Sequence, residues 1–316
     1  MNTISFHERV MLVGDEQMSQ LLHIARKAAA SEATVLICGE SGTGKELIAR
    51  YIHEMGQRKD KPFLSINCAA IPEGLMEAEL FGFEKGAFTG AWYQRIGKFE
   101  RAMGGTLLLD EVTEMPPALQ AKLLRVIQEG EIDRLGGRET IRINTRLIAT
   151  SNKDPLGLIQ NGQFREDLFY RLNVLRIDCP PLRERKEAIQ NLSQFFLLNN
   201  QEKYGRNAIK LSRTAEECLK AHHWPGNIRE LGNVIERAVL LSESDEITGE
   251  EIHRLLNSSR GIQETSRGDQ SLAEIEKSHI ERTLQLTQGN KTEAARKLGI
   301  SVRTLRNKLR LYQEVA

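Results

Sequence analysis

Short apolar runs alternate with helix-like repeats through the first half of the chain. The apolar runs, rich in β-branched residues, are Thr34–Cys38, Phe63–Ile66, Thr106–Leu109, Arg146–Thr150 and Val174–Ile177. Apolar residues at helical spacing fall between them, near residues 73–82, 116–129 and 165–172. Because strands and helices that alternate in this way build parallel sheets covered on both faces, the pattern predicts an α/β domain over residues 1–178.

The pattern changes after residue 178. Over residues 179–257 the β-like runs vanish and helical periodicity dominates, which predicts a small all-helical subdomain. Residues 258–271 are polar and almost free of apolar side chains, as in a flexible linker. Residues 272–316 show three further helical segments, and we expect them to form a separate domain. The first begins with Leu272 and Ile275, the second is Lys291–Leu298 and the third is Val302–Tyr312.

The composition excludes several classes of protein. The 316 residues carry 44 basic and 43 acidic side chains, a balance that argues against a wholly basic nucleic-acid coat protein but can hide a local basic patch. No apolar run is long enough to span a membrane, and the N-terminus has no apolar signal core, so we expect no membrane insertion and a cytoplasmic location. The 4 cysteines lack metal or redox spacing, which predicts reduced thiols.

A glycine-rich stretch between the first strand and the following helix has the form of a phosphate-binding loop. Its residues are Gly39, Glu40, Ser41, Gly42, Thr43, Gly44, Lys45 and Glu46. The glycines allow the backbone to curl so that N–H groups point at phosphate oxygens, while Lys45 and the helix N-terminus add positive charge. Glu46 replaces the Ser or Thr that ligates Mg²⁺ in the general pattern, so metal ligands must come from elsewhere. The alternative is a glycine-rich turn without a ligand.

Two carboxylates, Asp110 and Glu111, close the strand Thr106–Leu109. Asp110 is placed to bind Mg²⁺ or a water of its shell, and Glu111 is placed to orient and deprotonate an attacking water. Taken alone, the pair could equally cap a loop. Beside a phosphate loop, it indicates hydrolysis of a nucleoside triphosphate.

Between these two motifs lies the small, mostly apolar hexapeptide Gly86–Ala91, with Phe88 near its centre. Two glycines bracket it, which is typical of a mobile loop with an aromatic tip. An exposed apolar tip often marks a partner site. A buried turn is the equally good alternative from the residues alone.

This hexapeptide reads GAFTGA and, with its neighbours, resembles the signature of the sigma-54-dependent activators, bacterial enhancer-binding proteins of the AAA+ class. The phosphate loop is similar to that family's GESGTGKE, in which Glu after Lys is normal. Further similar stretches are Phe63–Pro72, Phe81–Lys85, Phe164–Asn173, Pro180–Arg185 and Trp224–Leu231. Phe83 is a departure, because the family usually has His there. The resemblance implies an AAA+ P-loop NTPase fold with a helical lid, and ATP with Mg²⁺ as cofactors.

The resemblance also assigns roles near the nucleotide. It implies that Asn67 pairs with Glu111 and holds it from the water until the nucleotide state changes. Ser151 and Asn152 resemble the first sensor, near the γ-phosphate, and Arg229 resembles the second sensor, on the lid.

Two arginines, Arg165 and Arg171, resemble arginine fingers that a neighbouring subunit supplies in trans. A guanidinium suits the charge that develops on the γ-phosphate, although the residues alone favour surface salt bridges. If the arginines act in trans, hydrolysis requires a ring, and the family implies a hexamer or heptamer. The resemblance further implies that the GAFTGA loop contacts sigma-54 through Gly86, Ala87, Phe88, Thr89, Gly90 and Ala91.

The last helical segment, Val302–Tyr312, carries a basic outer face and follows a turn that ends in a good N-cap, Ser301. Seven basic residues and one acidic residue lie between Gly289 and Tyr312. This order predicts a helix-turn-helix that binds DNA, and it resembles the Fis-like end of the same family. The candidate DNA-binding residues are Lys291, Ser301, Arg303, Thr304, Arg306, Asn307, Lys308 and Arg310.

Among these residues, Arg303, Thr304 and Asn307 are candidates for base contacts, whereas Lys291, Lys308 and Arg310 are expected to meet phosphates. One such unit reads only a few base pairs. We therefore expect the C-terminal domain to form a dimer on a near-palindromic site.

Together these features predict a transcription activator that hydrolyses ATP to ADP and phosphate, binds enhancer DNA and remodels the closed complex of sigma-54 RNA polymerase. Two alternatives remain: a DNA-binding regulator that binds nucleotide without hydrolysing it, and an AAA+ motor acting on another protein or on DNA.

Only about a dozen residues precede Val13, so we expect no N-terminal receiver domain. The phage-shock activators have this layout, while Arg303–Leu309 resembles the flagellar branch. Control would then come from a separate inhibitor or co-activator protein, from a partner subunit, or from the level of expression.

Overall fold

The computed structural model describes residues 2–6, 9–13, 15–206, 208–264, 276, 279–280, 283–284, 287 and 290–314. They fall into two compact units, residues 1–255 and residues 256–316. The strands are β1 (Asn2–Phe6), β2 (Arg9–Val13), β3 (Val35–Cys38), β4 (Phe63–Asn67), β5 (Gly82–Phe83), β6 (Arg95–Ile96), β7 (Thr106–Asp110), β8 (Glu131–Asp133), β9 (Thr140–Arg142), β10 (Arg146–Ser151), β11 (Leu175–Asp178), β12 (Lys210–Leu211) and β13 (Glu246–Ile247).

In the first unit, helices alternate with strands as far as β11, and most of the elements after β11 are helices. The helices are α1 (Glu16–Ala29), α2 (Lys45–Glu54), α3 (Glu73–Phe81), α4 (Lys98–Arg101), α5 (Pro117–Glu129), α6 (Pro155–Gln160), α7 (Glu166–Leu172), α8 (Lys186–Tyr204), α9 (Arg213–Ala221) and α10 (Asn227–Leu241). Helix α11 (Gly249–Glu264) begins in the first unit and ends beyond residue 255. Within the described residues, no helix is long and apolar enough to cross a membrane.

A five-stranded parallel sheet in the order β11-β3-β10-β7-β4 forms the centre of the first unit. Alternate residues of each strand face opposite sides, as the pleat requires. Leu36, Leu107 and Leu109 pack toward α3, α5 and α7, whereas Ile37 and Leu108 pack toward α1 and α2. The predicted α/β fold with both faces covered is therefore confirmed.

The register of the sheet brings the ends of its central strands to one edge. Ser151 pairs with Cys38 and Asn67 pairs with Asp110, so that β3, β4, β7 and β10 end together. The phosphate loop and the acidic pair leave the sheet at this edge, where ligands bind in such folds.

The lid consists of α8, α9 and α10, which pack around a fully buried Trp224 whose indole N–H donates to the carbonyl of Leu219 at 2.9 Å. Helix α11 extends to Glu264, so the first seven residues of the predicted flexible linker are helical instead. Their helical repeat continues that of α11, which propagation of backbone hydrogen bonds favours. Residues 265–271 lie outside the described residues.

The second unit contains α12 (Lys291–Lys297) and α13 (Val302–Glu314) around a core of Ile280, Ala294, Ala295 and Leu305. The side chain of Asn290 caps α12, and Ser301 caps α13 by accepting from the Thr304 N–H at 3.0 Å. The two predicted helices and their turn are therefore present. Leu272 and Ile275, assigned to the preceding helix, lie outside the described residues.

Candidate nucleotide site, surface loop and DNA-binding unit

The phosphate loop adopts the strained backbone that its glycines permit. Gly42 and Gly44 have φ of 80° and 97°, in the left-handed region that other residues avoid. A Cβ at Gly42 would lie 2.3 Å from the carbonyl oxygen of Gly226 in the lid. Two features therefore require glycine at position 42: the positive φ angle and the close approach of the lid backbone.

Lys45 is the first residue of α2, and only 7% of it is exposed. Its Nζ donates to the carbonyls of Gly39 at 2.7 Å and Glu40 at 3.0 Å, inside the loop. Burial lowers the pKa of Lys45, and the nearby carboxylates of Asp110 and Glu111 oppose that shift. An anion bound in the loop would favour the charged ammonium further.

The acidic pair occupies the end of β7. Asp110 accepts hydrogen bonds from Thr150 Oγ1 at 2.6 Å and from Asn67 Nδ2 at 2.9 Å, which fixes both of its oxygens. Glu111 has φ 55° and ψ 48°, a left-handed conformation rare outside glycine, and its N–H donates to Thr150 Oγ1 at 2.9 Å. Such strain is common at functional sites and turns the Glu111 side chain away from the strand direction.

The expected pair of Asn67 and Glu111 differs from what the structure shows. Asn67 donates to Asp110, its partner in the register of β4 and β7, and its Oδ1 accepts from the N–H groups of Ala69 and Ala70. Glu111 accepts instead from Asn152 Nδ2 at 3.1 Å. The backbone turn at Glu111 explains the exchange, because it directs this carboxylate toward the end of β10.

The two predicted first-sensor residues therefore do different things. The Ser151 hydroxyl is fully buried, 3.0 Å from Thr113 Oγ1, and donates to the Lys153 carbonyl at 2.7 Å. Asn152 holds Glu111, and its buried Oδ1 has no hydrogen-bond partner among the described residues. Ser151 thus stabilises the turn, while Asn152 is the residue whose amide meets the acidic pair.

These elements surround a cavity of 540 Å³ between the sheet edge and the lid. Its lining includes Ser41, Gly42, Gly44, Lys45, Glu46, Leu47, Asp110, Glu111, Phe196, Asn199, Asn200, Lys203, Ile228, Arg229, Gly232, Asn233 and Glu236. An adjoining apolar cavity of 120 Å³ is lined by Met18, Leu47, Ile48, Leu192, Phe195, Phe196 and Ile228, among others. A polar cavity beside a small apolar one suits a charged tail joined to a flat ring.

The lid is fastened directly to the phosphate loop. Arg229, the predicted second sensor, donates to Ser41 Oγ at 3.0 Å, and buried Asn227 donates to Glu40 Oε2 and to the Ser41 carbonyl. Arg183 donates two hydrogen bonds to the Glu40 carboxylate, at 2.7 and 2.8 Å, and these hydrogen bonds lower the pKa of Glu40. Sequence reasoning had not singled out Asn227 and Arg183. Their signal was their place inside two motifs that already resembled the family.

The two predicted arginine fingers lie away from this cavity. Arg165 and Arg171 are both exposed, at the start and near the end of α7, and neither lines the cavity. Arg165 forms an ion pair with Asp167 at 2.7 Å. The structure thus leaves both guanidinium groups outside the subunit's own nucleotide site.

The hexapeptide forms an exposed tip and not a buried turn, because Gly86, Phe88, Thr89 and Gly90 are exposed. Ala87 is half-buried and Ala91 is buried, so Ala91 belongs to the base of the loop and not to its exposed surface, where a sigma-54 contact was expected. It lies between the antiparallel strands β5 and β6, with Gly86 and Gly90 at φ of 85° and 105°. The Gly86 N–H donates to the Ala91 carbonyl at 2.8 Å and closes the loop, while Phe88 remains 43% exposed.

Most of the predicted DNA-binding residues lie on the surface of the second unit. Lys291, Ser301, Arg303, Thr304, Arg306 and Asn307 are exposed. Lys308 is half-buried and pairs with Glu276 at 2.7 Å, so its ammonium is partly occupied within the unit. The side chain of Arg310 lies outside the described residues.

Comparison with known families decides what this arrangement is. The model described as Sigma-54 interaction domain matches residues 11–178, more than half of the chain. The chain belongs to the sigma-54-dependent activators. The AAA+ ATPase lid domain matches residues 183–269, and the Fis-family bacterial regulatory protein model matches residues 271–312. The chain is therefore an AAA+ ATPase with a DNA-binding helix-turn-helix, which favours the activator over both alternatives.

Relatives cover nearly the whole chain. The transcriptional regulatory protein FlbD of Caulobacter vibrioides is 49% identical over 325 residues, spanning 97% of this chain and 71% of that protein. The regulatory protein AtoC of Escherichia coli (strain K12) is 47% identical over 310 residues, spanning 96% of this chain and 67% of its own. NtrX from Brucella abortus in complex with ATP has a TM-score of 0.73 and 33% identity, over 95% of this chain and 68% of that one.

Proposed function

We propose that this activator couples ATP hydrolysis in the 540 Å³ cavity to movement of the loop Gly86–Ala91 against sigma-54, while its second unit holds enhancer DNA. The observation that carries the proposal is that Lys45, Asp110 and Glu111 line one cavity that Arg229 closes from the lid. Phosphate binding, metal binding and water activation thus meet in one place.

The chemistry follows from the positions of these groups. The triphosphate lies on the phosphate loop with its charge balanced by Lys45, and the adenine enters the apolar cavity between α2 and the lid helices. Glu111 takes a proton from a water that attacks the γ-phosphorus, the bond from that phosphorus to the β–γ bridging oxygen breaks, and ADP and phosphate leave.

The donor set fits Mg²⁺, which would screen the phosphate charge. Thr150 and Asn67 hold the Asp110 carboxylate in place while leaving a lone pair on each oxygen. Mg²⁺ commonly uses one or two carboxylates together with phosphate oxygens and water. Asp110 would therefore hold the ion.

Completion of the site requires another subunit. Arg165 and Arg171 stand outside their own cavity, so we assign them to the cavity of a neighbour in a hexameric or heptameric ring. A guanidinium at the γ-phosphate stabilises the charge of the transition state. The helix-turn-helix units would pair as dimers on the enhancer.

The coupling path is covalent and short. Asn67 ends β4 against Asp110, α3 begins six residues later, and α3 leads through β5 into the loop. When Asp110 gains or loses a hydrogen-bond partner or a metal ion, Asn67 at the start of this segment is affected. Phe88 lies at the other end of the same segment. In this scheme Asn67 senses the nucleotide through Asp110, not through Glu111.

Substitution of Thr89 by Ala tests the role of the loop. We expect the variant to bind enhancer DNA and hydrolyse ATP, because residues 86–91 do not line the cavity, but to lose sigma-54 binding and open-complex formation. Binding is measured with ADP and aluminium fluoride, and promoter opening with permanganate footprints. Normal opening by Thr89→Ala would show that the loop does not act on sigma-54.

Substitution of Arg303 by Ala tests the second unit. The residue is exposed in the first turn of α13, and loss of one base contact is expected to weaken enhancer binding by about 5- to 100-fold. ATPase activity at high protein concentration should survive, since assembly then no longer depends on DNA. Arg213→Ala, which removes another exposed arginine, in the lid, serves as the control. Unchanged DNA affinity in Arg303→Ala would contradict the assignment, and parallel loss of ATPase would indicate misfolding.

A further inference from the structure

The exposed apolar surface at the tip of the loop continues beyond Ala91. Trp92 and Tyr93 follow it directly and are 81% and 66% exposed. The ring of Phe83 lies beneath, 5.0 Å from the ring of Phe88 and 6.4 Å from that of Tyr93. We call Phe88, Trp92 and Tyr93 the aromatic tip, and Phe83 packs beneath the first and the last of them. Phe83 is the departure from the family pattern that the motif alone did not explain.

The residues below the aromatic tip are packed and hydrogen-bonded. Phe83 is buried and packs with Ala78, Ala91 and Leu135. Below it, Arg134 donates to Glu84 at 2.7 Å and to Glu100 at 2.6 and 2.8 Å. The rings of Phe88 and Tyr93 therefore rest on a packed base, and Trp92 projects into solvent between them in the chain.

Three large aromatic side chains exposed side by side are costly to keep in water. Tryptophan and tyrosine are the residues that most often dominate the energy of protein interfaces. Charge argues against single-stranded DNA as the partner, because such contacts need a basic groove around the rings. The basic residues of segment 82–97 are Lys85 and Arg95, and Arg95 is paired with Glu79 at 2.9 Å.

We propose that Trp92 and Tyr93 extend the GAFTGA contact and bind apolar side chains of sigma-54. The proposal rests on the proposed function, since it continues the same loop within the domain matched as a Sigma-54 interaction domain. In this chain the sigma-54 contact is therefore larger than the hexapeptide, and Phe83 supports the rings of Phe88 and Tyr93 within it.

Trp92 reports on its own burial. The chain has two tryptophans, and the other, Trp224, is fully buried. Quenching of fluorescence by acrylamide in the full-length protein therefore comes from Trp92. Addition of purified sigma-54 with ADP and aluminium fluoride is expected to protect this signal, whereas a forked promoter DNA alone is not. Protection by the DNA alone would overturn the proposal and assign the tip to nucleic acid.

Variants supply the second measurement. Trp92→Ala is expected to weaken sigma-54 binding by about 30-fold with ATP turnover retained, because the tip does not line the ATP cavity. Leu241→Ala, an exposed apolar residue of the lid, should bind normally. The aromatic contact would be refuted if Trp92→Ala bound sigma-54 with wild-type affinity and if acrylamide quenched the wild-type complex as strongly as the free wild-type protein. If Thr89→Ala also binds normally, the proposed function fails as well, so the two failures are distinguishable.

Discussion

Replacement of Glu111 by Gln is expected to reduce the ATP turnover number by about 100- to 10,000-fold, the usual contribution of a general base. The amide keeps the size of the side chain and its hydrogen-bonding contact with Asn152, but it cannot accept the proton of the attacking water. ATP binding should remain, because Lys45 and the phosphate loop are unchanged. Steady-state phosphate release and titration with a fluorescent ATP analogue measure the two effects separately.

The matched control is Glu129→Gln, which makes the same chemical change on an exposed residue at the end of α5. It should hydrolyse ATP at the wild-type rate. A turnover number of Glu111→Gln within about tenfold of wild type would place the general base elsewhere. Loss of ATP binding would mean that the substitution had damaged the site and not the chemical step.

Loss of Arg171 is expected to lower ATP turnover by about 1,000- to 100,000-fold, the effect of removing an arginine finger. The trans assignment makes a sharper prediction for mixtures. Arg171→Ala subunits retain Lys45, and Lys45→Ala subunits retain Arg171, so a mixed ring rebuilds complete sites. At equal amounts about one quarter of all sites combine an intact loop with an intact arginine, and turnover should recover to that fraction.

The control for this experiment is Arg142→Ala, a strongly exposed arginine of β9 that should leave turnover intact. Each inactive variant is also measured alone at the total concentration of the mixture. Mixtures as inactive as their components would contradict donation between subunits. The same design with Arg165→Ala tests whether both arginines serve the neighbouring site.

The positions of the site residues were open to prediction to different degrees. Lys45, Asp110 and Arg229 came from motifs, and the structure places all three at one cavity. The pairing of Asn67 could not be predicted in the same way, because it depends on a single backbone rotation at Glu111. With φ at 55°, the carboxylate meets Asn152 and leaves Asn67 to Asp110. No pattern of residue types reveals such a rotation.

The aromatic tip, too, was only partly predictable from the sequence. The exposure of Phe88 was one of two equal alternatives from the residues, and it was decided by the antiparallel pairing of β5 with β6. The sequence shows Phe83 only as a departure from the family pattern, whereas the structure places its ring beneath Phe88 and Tyr93.

The sequence by itself determined the alternating α/β domain, the helical lid, the phosphate loop, the acidic pair and the capped basic helix. These features depend on neighbouring residues, through periodicity, turn glycines and caps. Only the tertiary structure decided which side chains meet across the sheet edge, how Arg183, Asn227 and Arg229 fasten the lid to the loop, and which aromatic rings remain in water. Those contacts join residues far apart in the chain, and the register of strands and the packing of the lid set them.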